Sequence, residues 1–204
     1  MIIAIDGPSA SGKGTLGARI ASHFGFHHLD TGLLYRAVAH KLLGQSKSLD
    51  DISEAVRLAE TMPLVDLDHK VLGAPEIGTA ASKIAARSEL RDALAGRQRE
   101  FAEREPGAVL VGRDIGSVIC PDAEVKIYLT ADVDVRAKRR ADQLGVEDPE
   151  ERHRIRDGIV DRDRRDMNRA VAPLRQADDA RLLDTTDLDI ETAFRAAIAI
   201  VEGS

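Results

Sequence analysis

Apolar residues fall into two kinds of run along this chain. The short ones, MIIAI at residues 1–5, AVLV at 108–111 and VKIYL at 125–129, lack helical spacing and read as buried parallel strands. Residues 27–30 and 181–183 are two further short strand candidates. The longer runs place apolar residues three and four positions apart: LGARIASHF after Thr15, LLYRAVAHKLL after Gly32, and residues 50–61, 79–104, 132–144, 148–169 and 189–202. These predict helices. Thr31 reads as an N-cap, Asp50 or Asp51 as a second, and Asp148-Pro149 as the start of the long charged helix, while Pro106-Gly107 ends the helix before it. Only PLVDLDHKVLGAPE, residues 63–76, alternates with Gly and Pro punctuation, which predicts a small β-type insert or loop. Strands alternating with helices imply an α/β fold with a parallel sheet and helices on both faces.

In such sheets ligands bind beyond the carboxyl ends of the strands. Three polar groups follow strand ends here: the turn from Gly7, Asp30-Thr31-Gly32, and Gly112-Arg113-Asp114. The first is a phosphate-binding loop, Gly7 to Lys13 in the pattern G-x-x-x-x-G-K, set between a strand and a helix. Its backbone N–H groups and the open helix N-terminus converge on one spot and favour a polyanion there, with Gly7 and Gly12 giving close approach and Lys13 a cation. Ser11, Gly14 and Thr15 complete the loop. Gly14 stands where the signature has a Ser or Thr hydroxyl for Mg²⁺, and Thr15 is turned about 100° away around the helix. The loop predicts binding of a nucleoside triphosphate.

Charge and composition narrow the classes. With 204 residues the chain is long enough for one α/β domain and a small insert, and with 3% aromatics its core must rest on Leu, Ile, Val and Ala. A net charge of −6 argues against nucleic-acid or membrane-surface binding through bulk charge. Of the 22 arginines, 11 lie in residues 136–175 among nine acidic residues, a mixed-charge segment suited to a mobile lid. Cys120 is the sole cysteine, which excludes an internal disulfide, points to a reducing, cytoplasmic setting, and reads as a small buried hydrophobe. No signal peptide is expected, since the first strand begins at Met1 and Asp6 ends its apolar run, and residues 193–201 are too short to span a bilayer. His27 and His28 are adjacent on a strand and face opposite ways, against a shared metal.

A GTPase switch would need an N/T-K-x-D motif, which is missing from the sequence. What the chain has is a second set of anion-binding groups, Arg36, Arg91, Arg113, Arg162 and Arg169. A P-loop kinase of another small acceptor, which would need a base such as Asp30, and a non-catalytic nucleotide-binding module are the competing readings. GPSASGKGT, LDTGLLYR, AASKIAARSELRDAL, VGRDIG and DRDRRDMNRAVAPL, in this order and spacing, resemble the bacterial cytidylate kinase family through nearly the whole chain.

That resemblance implies transfer of the γ-phosphoryl group of ATP to CMP or dCMP with Mg²⁺, in a core of residues 1–61 and 105–204, with a monophosphate insert at about 62–104 and an arginine-bearing lid at about 136–152. It implies that Gly7, Ser11, Gly12, Lys13, Gly14 and Thr15 hold ATP, with Mg²⁺ bound through ATP and water and Thr15 as the one protein candidate. Thr31, Tyr35 and Arg36 lie in the acceptor motif, Arg36 and Arg113 on the CMP phosphate. Ser82, Arg91, Asp114 and Arg169 surround cytosine, and Arg162 and Asp166 the ribose. Lys13, Arg113, Arg136, Arg139 and Arg140 are the candidates to meet the transferring phosphoryl. The partners implied are these small molecules, with no nucleic acid or membrane, for a monomer. One departure lies in the insert, where the family's E-I-R-T stretch is compressed and its arginine becomes Gly78.

Overall fold

The computed structural model describes residues 1–203. Strands β1 (Ile2–Asp6), β2 (His27–Asp30), β3 (Ala108–Gly112), β4 (Val125–Thr130) and β5 (Arg181–Asp184) form one parallel sheet in the order β2-β3-β1-β4-β5. The helices are α1 (Lys13–Phe24), α2 (Thr31–Gly44), α3 (Ile52–Thr61), α4 (His69–Leu72), α5 (Pro75–Ile84), α6 (Ser88–Ala102), α7 (Val133–Leu144), α8 (Pro149–Asn168) and α9 (Ile190–Glu202). Among the described residues, no helix is long and apolar enough to cross a membrane.

Successive strand residues point to opposite faces, and both faces are covered. Ala4, Leu29, Ala108 and Leu110 join the core under α2, α3, α5 and α6. Ile3, Ile5, Val109, Val111 and Ile127 pack with Leu16 and Ile20 of α1 and Ala197 and Val201 of α9. This double burial is why the strands read as apolar runs without alternation. Ile3 and Ile5 are wholly buried, each contributing about 1.5–3 kcal/mol by leaving water.

The strand order positions the site. Asp6 of β1 lies opposite Gly112 of β3, and Val111 of β3 opposite Asp30 of β2. The three polar turns therefore leave the sheet side by side at one edge. The helical expectations hold for α1, α2, α3, α7, α8 and α9 to within about three residues.

Residues 63–76 differ from expectation. They contain helix α4 and the start of α5, with no strand. Asp68 accepts from the backbone N–H groups of Lys70 (2.8 Å) and Val71 (3.2 Å), and Pro75 occupies the first turn of α5. Both are helix-start signals, and the apparent alternation is Leu64 and Leu67 resting on the core from a loop. The single helix expected over 79–104 is two, broken at 85–87, and the break turns Ser82 of α5 and Arg91 of α6 toward one pocket. Thr31 is not the cap of α2. Asp30 caps it, accepting from Gly32 N–H at 2.9 Å, while the Thr31 hydroxyl donates to the Val111 carbonyl at 2.9 Å. Residues Ile115–Ile119 form a π-helical turn that no periodicity announces.

Cys120 is 7% exposed, and burial pushes its thiol up to about 11. The thiolate is the reactive form. The native protein should therefore take up almost no iodoacetamide at pH 8 and one full equivalent in denaturant; rapid alkylation of the native protein would contradict a buried role.

Candidate active site

The P-loop is shaped by its backbone. Gly7 has φ +151°, and a Cβ there would come within 2.0 Å of the Leu129 carbonyl oxygen, so only glycine passes this close to β4. Ala10 and Gly12 also have positive φ, at 59° and 91°. No side chain caps α1, and its first turn carries no acid, which leaves its N–H groups aimed at the cleft as an anion cradle. Lys13 is buried, its ammonium donating to the Pro8 carbonyl at 2.6 Å and the Ser11 hydroxyl at 3.3 Å. Burial, and then the Arg113 charge, hold its pKa well below the ordinary lysine value.

Two residues left unassigned by sequence or assigned elsewhere brace this loop. Asp163 of α8 accepts from Ser9 N–H at 2.7 Å, and Arg136 of α7 donates to the Ser9 carbonyl at 2.8 Å and to Asp163 at 2.6 Å. The Arg136 Nε donates to Ala131 O at 2.8 Å, so this arginine, expected at the transferring phosphoryl, is spent behind the loop. Asp163 lies in the DRDRRD run, where six adjacent charges give no sequence sign of which one turns inward.

Facing the loop is a cleft of 1410 Å³, beyond the roughly 300–1,000 Å³ of a single small-molecule site. Lys13, Arg36, Arg113, Arg139, Arg140 and Arg162 all line it. Arg139 donates to the carbonyls of Thr185 (2.7 Å) and Leu188 (3.2 Å), bracing the loop after β5. Arg140 donates to the Gly73 carbonyl, and burial lowers its pKa. Arg36 donates to the carbonyls of Leu72 (2.6 Å) and Ala74 (3.4 Å). A Cβ at Gly78 would lie 2.7 Å from Arg36 Nη2, so the guanidinium occupies the space that a side chain at this compressed position would take.

The deepest cations repel one another. Burial, then Arg140, pushes Arg36 down to about 10; burial, then Arg113 and Arg36, pushes Arg162 down to about 9. The Arg162 Nε is buried without a hydrogen-bond partner, its nearest carboxylate oxygen being 4.0 Å away on Asp166. Burial works against the charge of Arg113, but Asp166, accepting from its Nε at 2.9 Å, together with Asp163 and Asp30 outweighs it and raises the pKa.

Below these lies a smaller cavity, about 40 Å³, lined by Tyr35, Ser82, Arg91, Asp114, Asp166 and Arg169 among others. Asp114 accepts from Arg91 and, at 3.0 Å, from Arg169. Ser82 donates to Asp166 at 3.2 Å, and the Arg91 guanidinium sits 5.7 Å from the Tyr35 ring centre. Arg165, not singled out from sequence, donates to the Ser82 hydroxyl at 3.3 Å. Every residue expected around the acceptor except Arg36 meets here, with Arg113 and Arg162 shared between the two cavities.

Among the described residues no cluster of three or more His, Cys, Asp or Glu could hold a metal. Mg²⁺ asks for less, commonly one or two carboxylates with substrate phosphates and water. A Cβ on Gly14 would come within 3.0 Å of Asp30 Oδ2, so a carboxylate oxygen stands beside the position at which the usual signature carries a hydroxyl side chain. Asp30 and Thr15 both line the cleft, and such hard oxygen donors fit Mg²⁺.

Comparison with known proteins accords with this geometry. Residues 3–202 match the model of the cytidylate kinase family. The chain is 57% identical over 203 residues to a cytidylate kinase of Azorhizobium caulinodans, covering 99% of this chain and 98% of that one. It is 54% identical over 203 residues to a cytidylate kinase of Bradyrhizobium sp., covering 99% and 96%. A crystal structure of an uncharacterized protein from Eubacterium ventriosum has the same fold, with TM-score 0.60 at 18% identity over 100% of this chain and 99% of that one. With a phosphate-binding loop, an arginine-lined double cavity and a full-length match in sequence, the chain belongs to the cytidylate kinase family.

Proposed function

We propose that the large cleft holds ATP and the CMP phosphate, and that the small cavity takes cytosine. A cytidylate kinase moves the γ-phosphoryl group of ATP to CMP or dCMP. The observation that carries the assignment of residues is the set of four crowded cations, buried Lys13 and half-buried Arg36, Arg113 and Arg162, on the wall of one cleft. Phosphate oxygens brought among them relieve that repulsion, and most strongly when charge is spread over the transferring group.

The acceptor is a phosphate oxygen, already anionic at neutral pH, so the site needs no base to activate a hydroxyl. Its work is in-line positioning, charge neutralisation and exclusion of water. Lys13 and the loop amides hold the donor phosphates. Arg36 and Arg113 hold the acceptor phosphate, and the unpaired Arg162 Nε has a donor to spare for either. Arg139 fixes the loop after β5 beside the donor, and Arg136 acts as a brace of the P-loop. Asp30 and Thr15 are the residues that would hold Mg²⁺ against the phosphates, where its charge would neutralise the β and γ oxygens. Residues 136–152 serve as a lid over the insert at 62–104, with Arg140 on Gly73 as their meeting point. The 40 Å³ cavity is too small for a pyrimidine, so Ser82 and Asp166 must part as the base enters. Asp114 then has an acceptor to offer the cytosine N4 amine, where uracil carries the O4 acceptor.

Lys13 touches loop oxygens and no core side chain. Lys13→Ala should lower kcat at least about a hundredfold, about 2.7 kcal/mol of barrier, with the melting temperature little changed. Retention of more than about a tenth of wild-type kcat would contradict the donor assignment. For the acceptor, Asp114→Asn should lower the CMP-to-UMP ratio of kcat/KM by about tenfold or more, chiefly through loss of CMP activity. An unchanged ratio would remove Asp114 from base selection.

A further inference from the structure

Asp6 ends β1 and is 6% exposed, yet no step of the reaction described above uses it. Its two carboxylate oxygens have different partners. Oδ1 accepts from the backbone N–H of Ile115 and Oδ2 from that of Gly116, both at 2.8 Å, across about 110 residues of chain. These are the first two amides of the π-helical turn Ile115–Ile119, donors that a helix start leaves without intrahelical partners.

The location matters more than the cap. On the near side, Asp6 lies opposite Gly112 in the β1–β3 pairing. On the far side, its carboxylate grips residues 115 and 116. Between these two anchors stand two residues, Arg113 and Asp114. We propose that Asp6 is a positioning residue of the acceptor site: its carboxylate clamps the far end of the Arg113–Asp114 turn and so fixes where those side chains meet CMP. This rests on the assignment of Arg113 and Asp114 to the acceptor.

A second feature fits a clamp. Asp114 carries φ −146° and ψ 24° as the residue before the π turn, and its own side chain makes no capping bond there. Its oxygens go to Arg91 and Arg169 instead. A residue that capped its own turn would lose that freedom. Asp6 supplies the cap from a neighbouring strand and leaves Asp114 available to the pocket. Asp6 is also the residue before Gly7, so the segment that begins the donor loop anchors the acceptor turn. The charges facing it are Lys13 at the start of α1 and Asp114 across the turn; Cys120 and Tyr128 are the other titratable neighbours. Burial, opposed by the two amides, raises the Asp6 carboxyl to about 6.

The test is Asp6→Asn, which keeps the shape but can accept from only one of the two amides, presenting its NH₂ to the other. A loosened acceptor turn should raise KM for CMP about tenfold or more, with KM for ATP changed less than about threefold. Equal changes for both nucleotides, or none for either, would overturn the proposal. Asp114→Asn run alongside separates two failures: if it weakens CMP and Asp6→Asn does not, only the clamp is wrong, and if neither affects CMP the acceptor assignment itself falls. Should Asp6→Asn not fold, the wild-type protein decides by nuclear magnetic resonance. The Asp6 carboxyl carbon and the amide resonances of Ile115 and Gly116 should then shift together with one midpoint near 6. Amides that stay still while the carboxyl titrates would overturn the clamp.

Discussion

Four like charges brought close together in a buried place are the constraint on which this molecule depends. Lys13 comes from the start of α1, Arg36 from α2, Arg113 from the turn after β3 and Arg162 from α8, and burial together with mutual repulsion depresses three of them. A protein does not collect such charges without compensation. Asp166 compensates Arg113 with a direct ion pair, the carbonyls of Leu72 and Ala74 partly satisfy Arg36, and Arg162 is left with a buried Nε that donates to nothing in the protein. The unmet remainder has the sign that the phosphate groups of the proposed substrates would offset, and under that proposal binding and catalysis draw on one feature.

The fold exists to hold those charges against their repulsion. A sheet ordered β2-β3-β1-β4-β5 sets the exits of β1, β2 and β3 side by side, and its doubly covered apolar core gives the rigidity. The bracing is done by side chains that tie α7 and α8 to the loops around the cleft. Arg136 and Asp163 tie α7 and α8 to the P-loop at Ser9. Arg139 ties α7 to the loop after β5. A movement of α7 and α8 would therefore be felt at the P-loop as well as at the mouth of the cleft.

The signals legible in sequence were those fixed by local spacing. The P-loop stands between a strand and a helix because its glycines and Lys13 act through nearby backbone, and Arg113 follows a strand end as expected, whereas Arg36, Arg91 and Arg162 come from helices and Arg169 from the end of α8. Features that arise between distant residues were not legible. The Ser9–Asp163 and Asp6–Gly116 hydrogen bonds span 154 and 110 positions, and one aspartate in a run such as DRDRRD looks like its neighbours until the helix is placed. Residues 63–76 misled because Asp68 and Pro75 punctuate strands and begin helices alike, and the leucines between them pack from a loop. Thr31 looked like a cap, but its hydroxyl bonds β3 and Asp30 caps in its place. In the insert, Gly78 read as a missing arginine. The structure gives that space to the guanidinium of Arg36.

One cleft lined by cations and one cavity lined by Asp114, read as the proposal reads them, make a definite demand on chemistry. The most direct test measures ADP release by the purified protein, with ATP and Mg²⁺, against CMP, dCMP, UMP, AMP and GMP in turn. CMP and dCMP should exceed each of the others by about tenfold or more in kcat/KM, because uracil sets its O4 acceptor against the Asp114 carboxylate and a purine ring is larger than the pyrimidine. ADP release at the same rate with every acceptor, or with none, would contradict it.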